Sequence, residues 1–110
     1  MASPIIVFIT AAPGEARQLA QSLVSERLAA CVNIIPGVNS IYEWQGAVEE
    51  GQEHLLVVKS DRCLWERLTQ RVCELHSYET PEIVSVSIEA GYQPYLDWLA
   101  AATGQKVESA

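Results

Sequence analysis

A long β-hairpin between Cys31 and Lys59 is the feature that most constrains how this chain can fold. Two β-rich arms, Cys31 to Trp44 and Ala47 to Lys59, flank Gln45-Gly46, where glycine makes a positive φ cheap. An arm of about thirteen residues spans roughly 40 Å, whereas a helix of about sixteen residues covers only about 24 Å. The flanking helices therefore cannot cover the hairpin, and its apolar overhang needs a partner chain or a ligand.

Strands and helices alternate around the hairpin. A near-continuous apolar run predicts a first strand over Ile5–Thr10, and alternation predicts a half-buried last strand over Glu82–Glu89. Apolar residues at the helical period predict three helices, over Glu15–Ala30, from Ser60-Asp61 to near His76-Ser77, and over Tyr92–Thr103. Pro36-Gly37 predicts a bulge or a bend in the first hairpin arm, because proline cannot donate to a strand ladder.

This order of elements predicts a fold class. The sequence βαββαβ plus a C-terminal helix is typical of an α+β, ferredoxin-like sandwich with its helices on one sheet face. We expect one such domain over residues 1–110, with the tail from residue 105 to 110 frayed. The other sheet face is bare and partly apolar, which is a second reason to expect self-association.

Charge and composition exclude several classes of partner. The net charge of −7 disfavours nucleic acid, which demands clustered Lys and Arg. No apolar run approaches the roughly twenty residues of a membrane helix, and the N-terminus lacks the features of a signal peptide, so we expect a cytoplasmic protein without a membrane partner. Three cysteines without CxxC spacing suggest neither a disulfide framework nor a structural zinc site.

Two sets of residues could bind a metal ion. Cys73 and His76 stand three residues apart, so a thiolate and an imidazole on one helix face would suit Cu or Zn. Alternatively, His76 is a hydrogen-bonded residue at a helix C-terminus, where positive charge is favoured. Acidic residues between subunits form a second candidate set for a divalent cation, or simply a solvated surface: Glu49, Glu50, Glu53, Glu79, Glu82 and Glu89.

A third candidate site is a cleft between subunits. It combines aromatic bodies with polar tips, as small-ligand pockets do, and consists of Tyr42, Trp44, Glu53, Lys59, Tyr78, Glu82 and Trp98. Lys59 closes an apolar run, so we expect a carboxylate partner such as Glu53 or Glu82. The alternative is pure packing, because Trp and Tyr are common interface anchors. The GxSxG, phosphate-loop and HExxH motifs are absent from the sequence, which favours a non-enzymatic protein.

Several blocks of the sequence resemble a known family. The blocks are VFITAAP at 7–13, ERLAACVNIIPGVNSIYEWQG at 26–46, VVKS at 57–60 and HSYETPEIVSVSIEAGYQPYLDWL at 76–99. Together they are similar to the CutA family of divalent-cation tolerance proteins. The resemblance implies a ferredoxin-like protomer in a tight homotrimer, an architecture similar to the PII signalling proteins, a role in the response to metal ions, chiefly copper, and no established enzymatic activity.

The resemblance also implies where copper would bind. Copper-binding members supply a Cys at the end of the first strand and two adjacent His before the SY or PY turn. Here these positions hold Thr10, Leu75 and His76, so one of the three ligands is present.

Three hypotheses about function follow. The first is a homotrimeric, non-enzymatic protein of metal tolerance that binds Cu(II) or another divalent cation weakly and needs no cofactor. The second is a PII-like regulatory module whose intersubunit clefts bind a small ligand or a partner protein. The third, an RNA-recognition domain with the same element order, is disfavoured by the charge and by the missing basic-aromatic pattern.

Overall fold

The computed structural model describes residues 2–105 and has the predicted order of elements. The elements are β1 (Pro4–Ala11), α1 (Ala16–Ser25), β2 (Cys31–Trp44), β3 (Ala47–Asp61), a 3₁₀ turn (Arg62–Leu64), α2 (Trp65–Leu75), β4 (Ile83–Ser87) and α3 (Gln93–Ala102). The strands form an antiparallel sheet in the order β2-β3-β1-β4. This confirms the α+β, ferredoxin-like prediction. Of the tail predicted to be frayed, 105–110, the structure describes Gln105, whose N–H donates to the carbonyl of Ala100 at 2.7 Å, and residues 106–110 lie outside the described residues.

One face of the sheet carries the core. Its side chains pack against apolar side chains of α1 and α2, and the fully buried members include Val7, Ile9, Leu56 and Val58 from the sheet and Leu23, Leu68 and Val72 from the helices. The four strand residues alternate along β1 and β3 as side chains on one side of a pleated strand must. Within residues 2–105, every helix is too short or too polar to span a bilayer.

The opposite side of the sheet, here called the open face, is also apolar. On β1 it carries Ile6 and Phe8, which are half-buried, and Phe8 pairs with Val57 on one side and Val84 on the other. Val84 is 51% exposed. The alternation in β4 therefore places serines on the helix side and valines on the open face, so that an apolar strip runs across β3, β1 and β4 without a cover from α1 or α2.

The first helix ends earlier than predicted. It stops at Ser25 rather than Ala30, because Arg27 adopts a left-handed conformation with φ 61. The N–H of Leu28 then donates to the carbonyl of Leu23 at 2.9 Å, and the N–H of Arg27 donates to the carbonyl of Val24 at 3.0 Å. These two bonds form a Schellman motif, which terminates a helix and usually has glycine where Arg27 stands here.

Two other boundaries differ from the prediction. β4 is shorter, because β1 offers it partners only along Ile5–Ile9. β3 runs on to Asp61, whose carboxylate accepts the N–H of Cys63 at 3.0 Å and that of Ser3 at 2.7 Å. Asp61 is thus the predicted cap residue, but it caps the 3₁₀ turn that precedes α2.

The hairpin turns at the predicted residues. Gln45 and Gly46 both have positive φ, 50 and 82, as a type I′ turn requires. The predicted bulge is also present, since Ile35 pairs with Leu55 but Val38 pairs with Glu53. One extra residue in β2 is thereby accommodated at Pro36-Gly37.

The bulge determines which way the distal hairpin faces. We call residues 38–53 the overhang. Beyond the bulge, even-numbered residues of β2 share the open face with odd-numbered residues of β3, so Tyr42 and Trp44 lie on that face. Ile41 and Val48 lie on the other side. The overhang makes the protein elongated, with extents of 53 × 25 × 22 Å.

Candidate functional site

A first group of polar and aromatic side chains lies where the overhang leaves the sheet. We call Tyr42, Glu53 and Tyr78 the hairpin cluster. The hydroxyl of Tyr78 donates to Oε2 of Glu53 at 3.0 Å, which ties the segment after α2 to β3. The Tyr42 hydroxyl reaches back along the hairpin and lies 4.0 Å from where a Cβ on Gly51 would be. The structure therefore brings together three of the seven residues predicted for the cleft.

The surroundings of Tyr78 favour its neutral form. Partial burial raises the pKa of the Tyr78 hydroxyl to about 12, and the hydrogen bond to Glu53 and the negative charges of Glu53 and Glu15 act in the same direction. A neutral phenol that donates to a carboxylate is the form that holds this cluster together.

His76 lies behind the hairpin cluster, and its side chain is fully buried. Its Nδ1 accepts the N–H of Tyr78 at 3.1 Å, so its Nε2 carries the proton and donates to the carbonyl of Thr10 at 2.8 Å. The ring also stacks obliquely on Tyr78, with ring centroids 4.5 Å apart. Both ring nitrogens of His76 therefore already have partners within the protein.

The residues around His76 do not fit a preformed metal site. Thr10 meets the imidazole with its backbone carbonyl, and Cys73 is exposed on α2. Across residues 2–105, three or more His, Cys, Asp or Glu side chains do not converge as metal ligands anywhere, and this includes the six acidic residues considered above. Glu49 and Glu50, for example, point to opposite faces of the hairpin.

A second group lies nearer the C-terminal end of β3. We call Cys31, Lys59, Tyr95 and Trp98 the α3 cluster. Cys31 pairs with Lys59 across the strands, and the Tyr95 and Trp98 rings are 5.5 Å apart. Burial, followed by the nearby Cys31 thiol, raises the pKa of Tyr95. Trp98 is half-exposed, so this aromatic pair is open to solvent or to a partner.

Within one protomer, Lys59 bonds to an amide rather than to the predicted carboxylate. Its Nζ donates to Oδ1 of Asn33 on β2, rather than to Glu53 or Glu82. Glu53 is six positions along the same strand, which corresponds to roughly 20 Å. Glu82 is exposed just before β4.

The seven predicted cleft residues are consequently not gathered in one protomer. Tyr42, Glu53 and Tyr78 meet near the overhang, whereas Lys59 and Trp98 lie with the α3 cluster. Trp44 stands alone at the hairpin tip, where it is 55% exposed. A groove of about 630 Å³ between the 3₁₀ turn and β4 shares no lining residue with either cluster.

Sequence reasoning missed Glu15, which precedes α1. Its Oε1 accepts the N–H of Ser77 at 3.3 Å and lies 3.3 Å from Nδ1 of His76. The only signal for this contact was an acidic residue at a helix start, where carboxylates are common because they interact well with free N–H groups. The start of α1 and the end of α2 are thereby joined at the hairpin cluster.

Comparisons with known proteins agree on one family. The sequence profile described as CutA1 divalent ion tolerance protein matches residues 5–102. The divalent-cation tolerance protein CutA of Thermus thermophilus is 53% identical over 100 residues, which is 90% of this chain and 97% of that protein. The chloroplastic protein CutA of Arabidopsis thaliana is 45% identical, and the match covers 90% of this chain but only 55% of the plant protein.

A solved structure extends the likeness to the fold. The PII-like protein CutA from Nostoc sp. PCC 7120, in apo form, superposes with a TM-score of 0.84 at 38% identity. The match covers 94% of this chain and 97% of that one.

Proposed function

Because the chain belongs to the CutA1 divalent ion tolerance protein family, we propose that it acts in divalent-metal tolerance as a non-enzymatic homotrimer. The observation that carries the proposal is the apolar open face. A strip that includes Phe8, Val57 and Val84 crosses the sheet, and Val84 and Val86 are about half exposed. A surface of this kind on a soluble domain is typical of a subunit contact.

The overhang supports a ring rather than a two-fold dimer. It carries exposed apolar side chains on both sides, with Tyr42 and Trp44 on one and with Ile41 and Val48, 69% and 78% exposed, on the other. A two-fold contact buries one patch against its own copy. In a closed ring each protomer contacts the next subunit with one surface and the previous subunit with a different surface. A hairpin that extends between two neighbours can then be covered on both of its sides.

Native mass spectrometry and sedimentation test the trimer. We expect a species of three times the 12.1 kDa chain mass at micromolar concentration. Val84→Asp should dissociate it, because a charge would be buried on the open face, whereas the control Ser85→Asp, on the next residue but on the helix side, should not. A wild-type monomer, or equal behaviour of the two variants, would contradict the proposal.

Copper enters this proposal only as a weak ligand. A Cu(II) ion at His76 would have to replace the contact with the Thr10 carbonyl or with the Tyr78 N–H, and Cys73 would have to turn toward it. We therefore expect calorimetric titration with Cu(II) to show weak binding that His76→Ala or Cys73→Ser weakens further. Identical isotherms for wild type and both variants would remove these residues from any copper site.

A second function is favoured by the two separated clusters. Because Glu53 and Lys59 lie six residues apart along β3, roughly 20 Å, only a neighbouring copy can bring a Glu53 and a Lys59 together around one small ligand. We propose as the alternative a regulatory module with such composite clefts, and the PII-like name of the Nostoc relative supports it. A thermal-shift screen of metabolites should find a compound that stabilises wild type but not Tyr78→Phe. A screen without any stabilising compound would count against this alternative.

The compartment is also a proposal. We propose a cytoplasmic location, although the plant relative carries the word chloroplastic in its name. Fractionation of cells that express the untagged protein would test it, and recovery outside the cytoplasm would overturn it.

A further inference from the structure

The C-terminal ends of α1 and α3 have the same hydrogen-bond pattern. In α3 the N–H of Gln105 donates to the carbonyl of Ala100 at 2.7 Å, and that of Gly104 donates to the carbonyl of Ala101 at 3.1 Å. Gly104 has φ 77, which is the left-handed conformation that a Schellman motif requires. Arg27 has the equivalent place at the end of α1, with φ 61.

The two ends differ in what this conformation costs. Glycine adopts positive φ without strain, whereas a side chain with a Cβ disfavours it by roughly fivefold in population. Arginine at such a position is uncommon, and an outlier that persists points to something the side chain does. The guanidinium of Arg27 does contact another element, because its Nη2 donates to the carbonyl of Ala101 at 3.2 Å, 74 residues away.

This contact lies at the negative end of α3. The carbonyls of the last turn are not fully satisfied within a helix, and a positive charge near them is favourable. Ala101 thus accepts both the Gly104 N–H and the Arg27 guanidinium. A side chain that is costly to its own helix therefore stabilises the end of another.

We propose that Arg27 is a latch that joins the ends of α1 and α3 and thereby positions the aromatic side of α3. Tyr95 and Trp98 lie on this helix, and its buried residues are only Leu99 and Ala100. A helix with so few buried residues opens locally at low free-energy cost, so a tie at its end can change how well it is ordered. Arg27 is a positioning residue for the α3 cluster. That the α3 cluster forms half of a ligand cleft rests on the proposed function. The contact by which Arg27 holds the end of α3 does not depend on it.

Three variants separate the latch from the helix cap. Arg27→Gly relieves the strain at positive φ and removes the guanidinium, so α1 keeps its cap while α3 loses its tie. Arg27→Lys keeps a cationic donor that can reach the Ala101 carbonyl, and it should restore most of the effect. Arg17→Ala removes a comparable exposed charge from the first turn of α1, at the end of that helix opposite to Arg27, and serves as the control.

Hydrogen exchange of the full-length protein gives the readout. In Arg27→Gly we expect α3 amides to exchange about fivefold faster, as loss of one such hydrogen bond implies, while the last turn of α1 exchanges no faster than in wild type because glycine relieves its strain. Arg27→Lys and Arg17→Ala should resemble wild type. The proposal is wrong if α3 amides in Arg27→Gly exchange at the wild-type rate. It is also wrong if exchange becomes faster by the same factor in α1 and in α3.

The same variants keep the latch and the proposed function apart. If α3 amides exchange faster in Arg27→Gly while the wild-type protein sediments as a monomer, the proposed role of Arg27 is supported and the proposed trimer is wrong. If the protein is a trimer and α3 exchanges as in wild type, the latch alone is wrong.

Discussion

The base of the hairpin and its overhang belong to the same two strands but differ in what surrounds them. At the base, Leu56 and Val58 are fully buried against the helices. In the overhang, Ile41, Trp44 and Val48 are all more than half exposed. Apolar residues are thus used in two ways: the base stabilises the protomer, and the overhang is suited to contacts between protomers. Variants in each half should separate these two effects.

The largest effect on the protomer is expected at the base. Leu56→Ala leaves a cavity beneath both helices and should lower the free energy of unfolding by about 2–5 kcal/mol. Because its contacts lie within one chain, the loss should not depend on protein concentration, as denaturant titration at two concentrations can show. The control Leu56→Met, which nearly conserves volume, should cost less than about 1.5 kcal/mol. A concentration-dependent loss would place Leu56 in an interface instead.

Trp44→Ala tests the overhang. Trp is a frequent anchor in interfaces, so we expect the variant to weaken association by about 2 kcal/mol while the folding of the isolated chain changes little. Sedimentation equilibrium over a dilution series measures the association constant. Glu43→Ala, one residue away on the other side of the hairpin, is the control. Unaltered association in Trp44→Ala would mean that the overhang has no part in assembly.

Gly37 lies at the junction of the two halves. Its φ is +77, and an added Cβ would meet nothing within 4 Å, so the cost of Gly37→Ala is conformational and should be about 1 kcal/mol. Gly14→Ala is a matched control, because Gly14 also has open space around it but no positive φ. Thermal unfolding of both variants is the measurement. Similar stability of the two would contradict the assignment of strain to Gly37.

The smallest effect is expected at Tyr78, which links the overhang to the rest of the protein. The folded state raises the pKa of this hydroxyl from 10.0 to about 12, so the neutral form is the one that stabilises the fold. Its contribution is complete below pH 10 and is lost as the pH rises through 12. The free energy of unfolding of Tyr78→Phe should therefore fall less between pH 10 and 12 than that of wild type, as unfolding curves at a series of pH values would show. The control Tyr92→Phe, at an exposed tyrosine, should leave the loss unchanged.

The hairpin was predictable because its signals are local. Gln45-Gly46 and Pro36-Gly37 mark the turn and the bulge, and β2 has the predicted bounds. The end of α1 was not predictable in the same way. Arginine stands at position 27 instead of glycine, and the apolar residues after it continue the helical pattern, so only the backbone conformation reveals the stop.

For the candidate site the sequence offers residue types but not their arrangement. Alternation shows that Val84 and Val86 share a face, but it does not say which face the helices cover. Likewise, the residue types around Lys59 suggested a carboxylate partner, whereas its bond to Asn33 depends on the pairing of β2 with β3. The distance between Glu53 and Lys59 could have been inferred, because one strand holds both.

The bulge at Pro36-Gly37 has a consequence for how this protein can change over generations. Substitutions in the overhang alter one contact at a time. Loss of a single residue from β2 beyond the bulge would exchange inward and outward positions for every side chain between the deletion and the turn. We therefore expect a one-residue insertion or deletion in this arm to be accompanied by a second one, or by loss of the bulge. Related sequences that differ by a one-residue gap in β2 should show which of these two compensating changes accompanies the gap.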